Sequence, residues 1–242
     1  MRLKVLGSSS RGNGYILSND TEALILEAGV PTKTLLEGLD YKVGNVVGCL
    51  VTHRHGDHSK YLTKYKRFGF VTLAIKDVWE STGLSIGRRN INVIPGQWYK
   101  VGGFLVQPFN ASHDVPCIGW VIKHSDIGKM VFLTDSFMCA YNIKGLNHIL
   151  VECNYSMGNL VKAINEGRTM EWQKERLMQS HMSLDACRSL LKRWDLSEVH
   201  NILLLHLSHE NSDKDSFVDC ITKDTGKLVY AAESGLELEL TI

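Results

Sequence analysis

No apolar run in the chain approaches the ~20 residues of a membrane-spanning helix, so no such span is expected. The opening segment MRLKVLGSSSRGNG lacks the apolar stretch of a secretory signal, and a cytoplasmic protein is expected. Proline is scarce, with four residues, and no low-complexity linker or convincing short repeat interrupts the sequence. Residues 1–242 are therefore read as one domain. Neither charge sign is in excess: 27 Lys and Arg against 26 Asp and Glu leave a net charge of +1, with His neutral. That balance argues against a strongly basic nucleic-acid binder but leaves room for a local patch. None of the six cysteines forms a CxxC pair, which argues against a thiolate zinc site and against a disulfide framework. Buried reduced thiols are expected instead.

What is present is apolar material enough for a sizeable core, 44% of residues. The first half reads as short β segments punctuated by glycine and polar turns: RLKVLG, YILSN, ALILEAG and VVGCLVT. VVGCLVT is continuous enough to be buried on both faces. SKYLTKYKRFG after it is expected to be a helix with a glycine stop. VTLAI, INVIP, GFLVQPF, GWVIKH, KMVFLTD and HILVECN read as further strands, and residues 157–179 as mostly helix. In SHMSLDACRSLLKRWDLS the residues Leu184, Cys187, Leu190, Leu191 and Trp194 share one face, behind a Ser183 N-cap. NILLLHLS is a strand ending in histidine, and strand-like segments close the chain. Two face-to-face sheets with helices outside would bury these runs, an α/β (α+β) architecture.

The chemistry concentrates in CLVTHRHGDHSKYL, where His53, His55, Asp57 and His58 follow an apolar run. On an extended segment alternate residues point the same way, so His53 and His55 can share one ion. Asp57 and His58 lie just beyond, within reach of a second. Three other apolar strands end in possible ligands: His113, Asp135 and His206. Imidazole and carboxylate without thiolate suit a catalytic divalent metal, and these seven side chains suffice for two ions plus a water. Zn²⁺ fits this donor set best, with Mn²⁺ or Mg²⁺ as alternatives.

This order of residues resembles the metallo-β-lactamase superfamily over nearly the whole chain. The resemblance implies an αββα sandwich with a two-metal site at one edge. It implies that His53, His55 and His113 hold one metal and that Asp57, His58 and His206 hold the other, with Asp135 bridging. It also gives Asp57 a catalytic place. Glu27 in ILEAG stands where that family usually has aspartate, a residue that supports the metal loop rather than binding the ions. The absence of a cysteine at the bridging place is unlike the antibiotic-cleaving members. SHMSLDA and VECN resemble segments of the tRNA 3′-processing nucleases, which implies that His181 protonates the leaving oxygen and that Glu152 orients it.

LGSSSRGNGYIL, VECNYS, SHMSLDA and LLHLSHENSD resemble the YycJ-like branch, and more closely its phage relatives, the anti-Pycsar phosphodiesterases. That likeness implies hydrolysis of cyclic mononucleotides such as cCMP and cUMP to 5′-monophosphates. It also implies a homodimer acting in host cytoplasm to disarm a bacterial alarm signal. The GSSSRGNG loop suits an anion nest, so Ser8 and Ser9, with Ser208 and Asn211, are candidates to face the substrate. The alternative is a nuclease on DNA or RNA, for which Lys60, Lys64, Lys66 and Arg67 would supply a basic face. A thioesterase or lactonase of the same fold has only analogy behind it. A purely structural metal role conflicts with a donor set free of thiolate.

Overall fold

Runs such as ALIL and HILVE are buried at every position, which a strand tolerates only when both faces of its sheet are covered. The computed structural model, which describes residues 1–242, supplies that cover. Its strands are β1 (Arg2–Ser9), β2 (Gly12–Ser18), β3 (Ala23–Leu26), β4 (Val46–Leu50), β5 (Thr72–Ala74), β6 (Asn90–Asn92), β7 (Tyr99–Val101), β8 (Phe104–Ala111), β9 (Cys117–His124), β10 (Gly128–Leu133), β11 (His148–Glu152), β12 (Asn201–Leu205), β13 (Leu228–Ala231) and β14 (Glu237–Glu239). Its helices are α1 (Thr32–Gly38), α2 (Gly56–Ser59), α3 (Leu62–Tyr65), α4 (Lys76–Thr82), α5 (Met157–Asn165), α6 (Glu171–Ser180), α7 (Leu184–Arg193) and α8 (Lys214–Thr225). The strands form two seven-stranded sheets, ordered β14-β1-β2-β3-β4-β5-β6 and β7-β8-β9-β10-β11-β12-β13 when both are read from their antiparallel ends.

Alternation within each strand divides the core. Leu24, Leu26, Leu150, Leu203 and Leu205 point between the sheets, where Phe104, Trp120 and Phe132 join them. Ile149, Val151, Ile202 and Leu204 point the other way, against Cys187, Leu190 and Leu191 of α7 and Phe217 of α8. Ile25, Cys49 and Val51 face outward from the first sheet, against Leu35, Leu62 and Val78. The result is the expected αββα sandwich, with apolar layers on both faces of both sheets.

Each sheet passes from antiparallel to parallel pairing along its width. β14, β1, β2 and β3 are antiparallel neighbours, and β3 to β6 are parallel. β7 to β10 are likewise antiparallel and β10 to β13 parallel. Parallel neighbours start and end together, so their carboxyl ends share a rim. Glu27 follows β3, His53 follows β4, Asp135 follows β10, and His206 follows β12, while Glu152 ends β11.

One local expectation needs correction. SKYLTKYKRFG is not one helix: α2, α3 and a 3₁₀ turn at Lys66–Phe68 replace it. The break falls at Tyr61, whose N–H leaves the helical pattern to donate to the Ala28 carbonyl at 2.9 Å. The segment 157–179 is mostly helix, as expected, in two pieces, α5 and α6, parted by Gly167 at φ 71°. α8 was not foreseen, because only Phe217 and Ile221 of its stripe are buried; its signals were the Asp213 N-cap and the left-handed Gly226. The helix over the ACRSLL segment lies where its periodicity places it, with Ser183 accepting from Ala186 N. All six cysteines are free thiols and five are buried. No helix is long and apolar enough to cross a membrane.

Leu150 is fully buried between the sheets. Leu150→Ala is expected to cost about 2–5 kcal/mol of unfolding free energy, measured by urea denaturation; a loss below 1 kcal/mol would refute its central place.

Candidate metal centre

The turn between β4 and α2 carries two imidazoles, His53 and His55, and α2 itself carries a third, His58. The chain extends through His53, then enters α2 at Gly56, so His58 folds back under the sheet edge and is fully buried. Gly29 passes so close beneath this turn that a Cβ there would collide with the Asp57 carbonyl. Glu27, Asp135 and His206 all have positive φ, at 70°, 46° and 54°. A non-glycine residue in that region costs free energy, and three such residues at one rim mark a constrained site.

The seven side chains expected to hold metal do meet. Ligand atoms of His53, His55, His113 and Asp135 lie within 4.8 Å of one another, and so do those of Asp57, His58, Asp135 and His206. Asp135 belongs to both groups, one oxygen to each. Its Oδ2 faces His53 Nε2 and His113 Nε2, each at 3.9 Å. Its Oδ1 faces His58 Nε2 at 3.3 Å and His206 Nδ1 at 3.5 Å.

Hydrogen bonds set which nitrogens are free. His113 Nδ1–H donates to the Ser180 carbonyl at 2.7 Å, leaving the Nε2 lone pair for the cluster. His53 Nδ1 pairs with Thr52 Oγ1 at 2.9 Å. His58 Nδ1 stands 3.5 Å from Glu27 Oε1, while Glu27 Oε2 accepts from Thr52 N. Glu27 thus braces the histidine-rich turn from behind, the supporting place expected of it.

The fit to cations is tested by what is left unsatisfied. His53 Nε2 and His206 Nε2 are buried without a hydrogen-bond partner. Two imidazole nitrogens, His113 Nε2 and His55 Nδ1, point at each other across 3.2 Å. Buried polar atoms seldom go unpaired, and here they surround shared points in space. Burial alone would hold the His58 ring neutral, yet the Asp135 and Glu27 carboxylates outweigh it and raise its pKa well above the usual imidazole range. His206 is raised to about 10, where Asp135 and Asp57 likewise overcome burial. His53 goes the other way: burial, helped by its neighbour His58, lowers its pKa well below the usual value. The donor set is imidazole and carboxylate, which suits divalent cations.

Glu152 and His181 form the next layer. Glu152 is fully buried and accepts from His181 Nδ1 at 2.6 Å, Ser136 N at 2.8 Å and Met182 N at 3.1 Å. Burial opposes the His181 charge, but Glu152 raises its pKa above the ordinary imidazole value. The His181 ring is 5.6 Å from that of His113 and 5.2 Å from that of His206.

Beside the cluster opens a cleft of about 730 Å³, lined in part by Ser8, Ser9, His181, His206, Ser208 and Asn211. Ser8 and Asn211 also have structural partners. Ser8 Oγ accepts from His206 N at 2.8 Å and from Tyr15 Oη at 2.7 Å. Asn211 donates to Ser208 Oγ and accepts from Thr169 Oγ1. The basic face expected at Lys60, Lys64, Lys66 and Arg67 does not line this cleft. Lys66 instead donates to the Phe70 and Arg89 carbonyls. Two residues went unnoticed in the sequence. Asn13 Nδ2 donates to Asp57 Oδ2 at 3.2 Å, and Asn154 Nδ2 donates to the His206 carbonyl at 2.7 Å. Both sit inside quoted motifs, GSSSRGNG and VECN, but only the fold shows what their amides touch.

No protein-family model matches the chain. It is 25% identical over 229 residues to exodeoxyribonuclease YycJ of Bacillus anthracis, covering 89% of this chain and 85% of that one. The fold matches the metallo-β-lactamase fold protein YhfI from Bacillus subtilis with a TM-score of 0.76 at 17% identity, over 98% of this chain and 99% of that one. The chain has the metallo-β-lactamase fold and is similar in sequence to YycJ. Zn²⁺-bound PqqB from Methylobacterium extorquens superposes with a TM-score of 0.74 at 14% identity, over 99% of this chain and 100% of that one. In this chain the rim that gathers the parallel strand ends carries the histidine–aspartate cluster.

Protons would compete with a metal for His58 and His206, whose pKa values the nearby carboxylates raise, since ligating imidazole is neutral. Apparent zinc affinity is therefore expected to rise from pH 6 to pH 8, with proton release visible in calorimetry across buffers of different ionisation enthalpy. Heats independent of buffer would contradict this. Gly29→Ala is expected to displace the turn and lower bound metal, read by elemental analysis, to below half that of the native chain.

Proposed function

We propose that the chain is a metal-dependent phosphodiesterase acting on DNA or RNA ends, with His53, His55, His113, Asp57, His58 and His206 holding two divalent cations bridged by Asp135. Zinc is the cation the donor set favours. When bound there, divalent cations would lower the pKa of a water and offset charge on phosphate oxygens. The observation that carries the reading is the pairing of this two-group cluster with His181. Phosphodiester cleavage needs a proton for a poor alkoxide leaving group. His181 Nδ1 is committed to Glu152, so its Nε2–H is the proton available to the cleft. The Glu152 carboxylate raises the His181 pKa and so favours the protonated ring, and a positioned acid contributes roughly 10²–10⁴ in rate.

Nucleic acid is favoured over the cyclic mononucleotides because the sequence relative is an exodeoxyribonuclease. Cyclic-mononucleotide hydrolysis is a second reading, and the cleft favours it by size: about 730 Å³ lies within the ~300–1,000 Å³ of small-ligand sites.

A panel of labelled oligonucleotides, cCMP, cUMP, cAMP and cGMP with Zn²⁺, Mn²⁺ or Mg²⁺ separates the two. Faster turnover of oligonucleotides is expected; a preference for the cyclic compounds reverses the order. His181→Ala is expected to keep its metal, by elemental analysis, and to lose about 10²-fold or more in kcat. Unchanged kcat removes His181 from the chemistry.

A further inference from the structure

Helix α6 lacks what ordinarily holds a helix to a protein. Ser180 is its only buried residue, so it has no apolar stripe facing the core. Its first turn carries Trp172, which is 69% exposed. Trp172, Arg176 and Ser180 fall on one side, at i, i+4 and i+8, and all three line the cleft that ends at His181. The helix therefore forms a wall running from the candidate acid out to an open indole.

The cations on this wall differ in their freedom. Arg168 is committed to Glu166 and Glu210, and Lys214 to Glu233. Arg176 has only a 3.9 Å approach to Asp114, and its side chain is 69% exposed. Arg11, across the cleft, is exposed and forms no salt bridge. The Arg168 fork ties the turn before α6 to the loop after β12, which holds the wall against the cleft.

We propose that this wall is a second nucleotide subsite, in which Trp172 stacks a base while Arg176 and Arg11 neutralise the phosphates between that base and the metal cluster. The inference rests on the phosphodiesterase reading above and specifies its substrate as a single strand longer than one nucleotide. Trp172 and His181 are nine positions apart, about 13 Å at ~1.5 Å per residue. That is several times the ~3.4 Å rise per nucleotide of a stacked strand. A base on Trp172 thus belongs to a nucleotide beyond the one being cleaved. An aromatic face next to free arginines suits a single strand, because every base offers a π-face and the backbone supplies the charge.

The test uses the metal-loaded chain and 5′-phosphorylated oligothymidylates of two to six nucleotides. The readout is kcat/KM for the hexanucleotide divided by that for the dinucleotide. Trp172→Ala is expected to lower this ratio fivefold or more, the equivalent of about 1 kcal/mol of stacking per base. Trp172→Phe is expected to restore most of it, since a ring remains. Arg176→Ala is expected to flatten the dependence of log KM on log salt for the hexanucleotide by about 0.7, the value for one single-strand phosphate contact. A length preference that survives Trp172→Ala overturns the subsite and leaves the nuclease reading standing. Hydrolysis of cyclic nucleotides without cleavage of any oligonucleotide overturns both.

Discussion

The structure is organised around one buried carboxylate, Asp135, set among imidazoles. One of its oxygens faces His53 and His113, the other His58 and His206, and it is almost wholly shielded from water. In a low-dielectric rim no single protonation pattern satisfies so many titratable groups at once. The opposed shifts of His53 and His58 express this: burial lowers the pKa of one ring while the Asp135 and Glu27 carboxylates raise that of its neighbour. A divalent cation would resolve the conflict, because it accepts lone pairs from every side and compensates negative charge. The positive φ values at Glu27, Asp135 and His206 are the backbone's share of that arrangement.

The two sheets explain how one rim comes to hold residues from such distant parts of the chain. Each has antiparallel pairing on one side and parallel pairing on the other, in the same order. In this correspondence β3 matches β10, so Glu27 and Asp135, both left-handed, occupy equivalent places in the two halves. One braces the histidine turn and the other stands between the two ligand groups. The sequences of the halves show no convincing repeat, so the correspondence is carried by topology.

Glu152 connects the metal rim to the acid. Its two oxygens serve His181, Ser136 N and Met182 N, so one carboxylate anchors both the loop after Asp135 and the entry to α7. Asn154, two residues on, holds the His206 carbonyl. The end of β11 thereby orients His206 and His181 together, and a shift of this strand end would move both. α6, by contrast, has little of the protein behind it, which is why its exposed face is read as part of a binding surface.

The sequence by itself determined the element types with strong periodicity, the sandwich class and which seven histidine and aspartate side chains meet at the rim. Apolar runs of strand length ended in histidine or aspartate, and such patterns are local. It misjudged the stretch after His58, where a bond from Tyr61 to Ala28 interrupts a locally plausible helix, and it passed over α8, whose stripe is only two residues. Tertiary structure alone decided that Asn13 touches Asp57, that Ser8 and Asn211 spend hydrogen bonds inside the protein, and that the basic run after the motif lies away from the cleft. The division has a physical cause. Periodicity and strand ends are encoded within a few residues, whereas hydrogen-bond partners and cleft walls depend on which distant segments the sheets bring together.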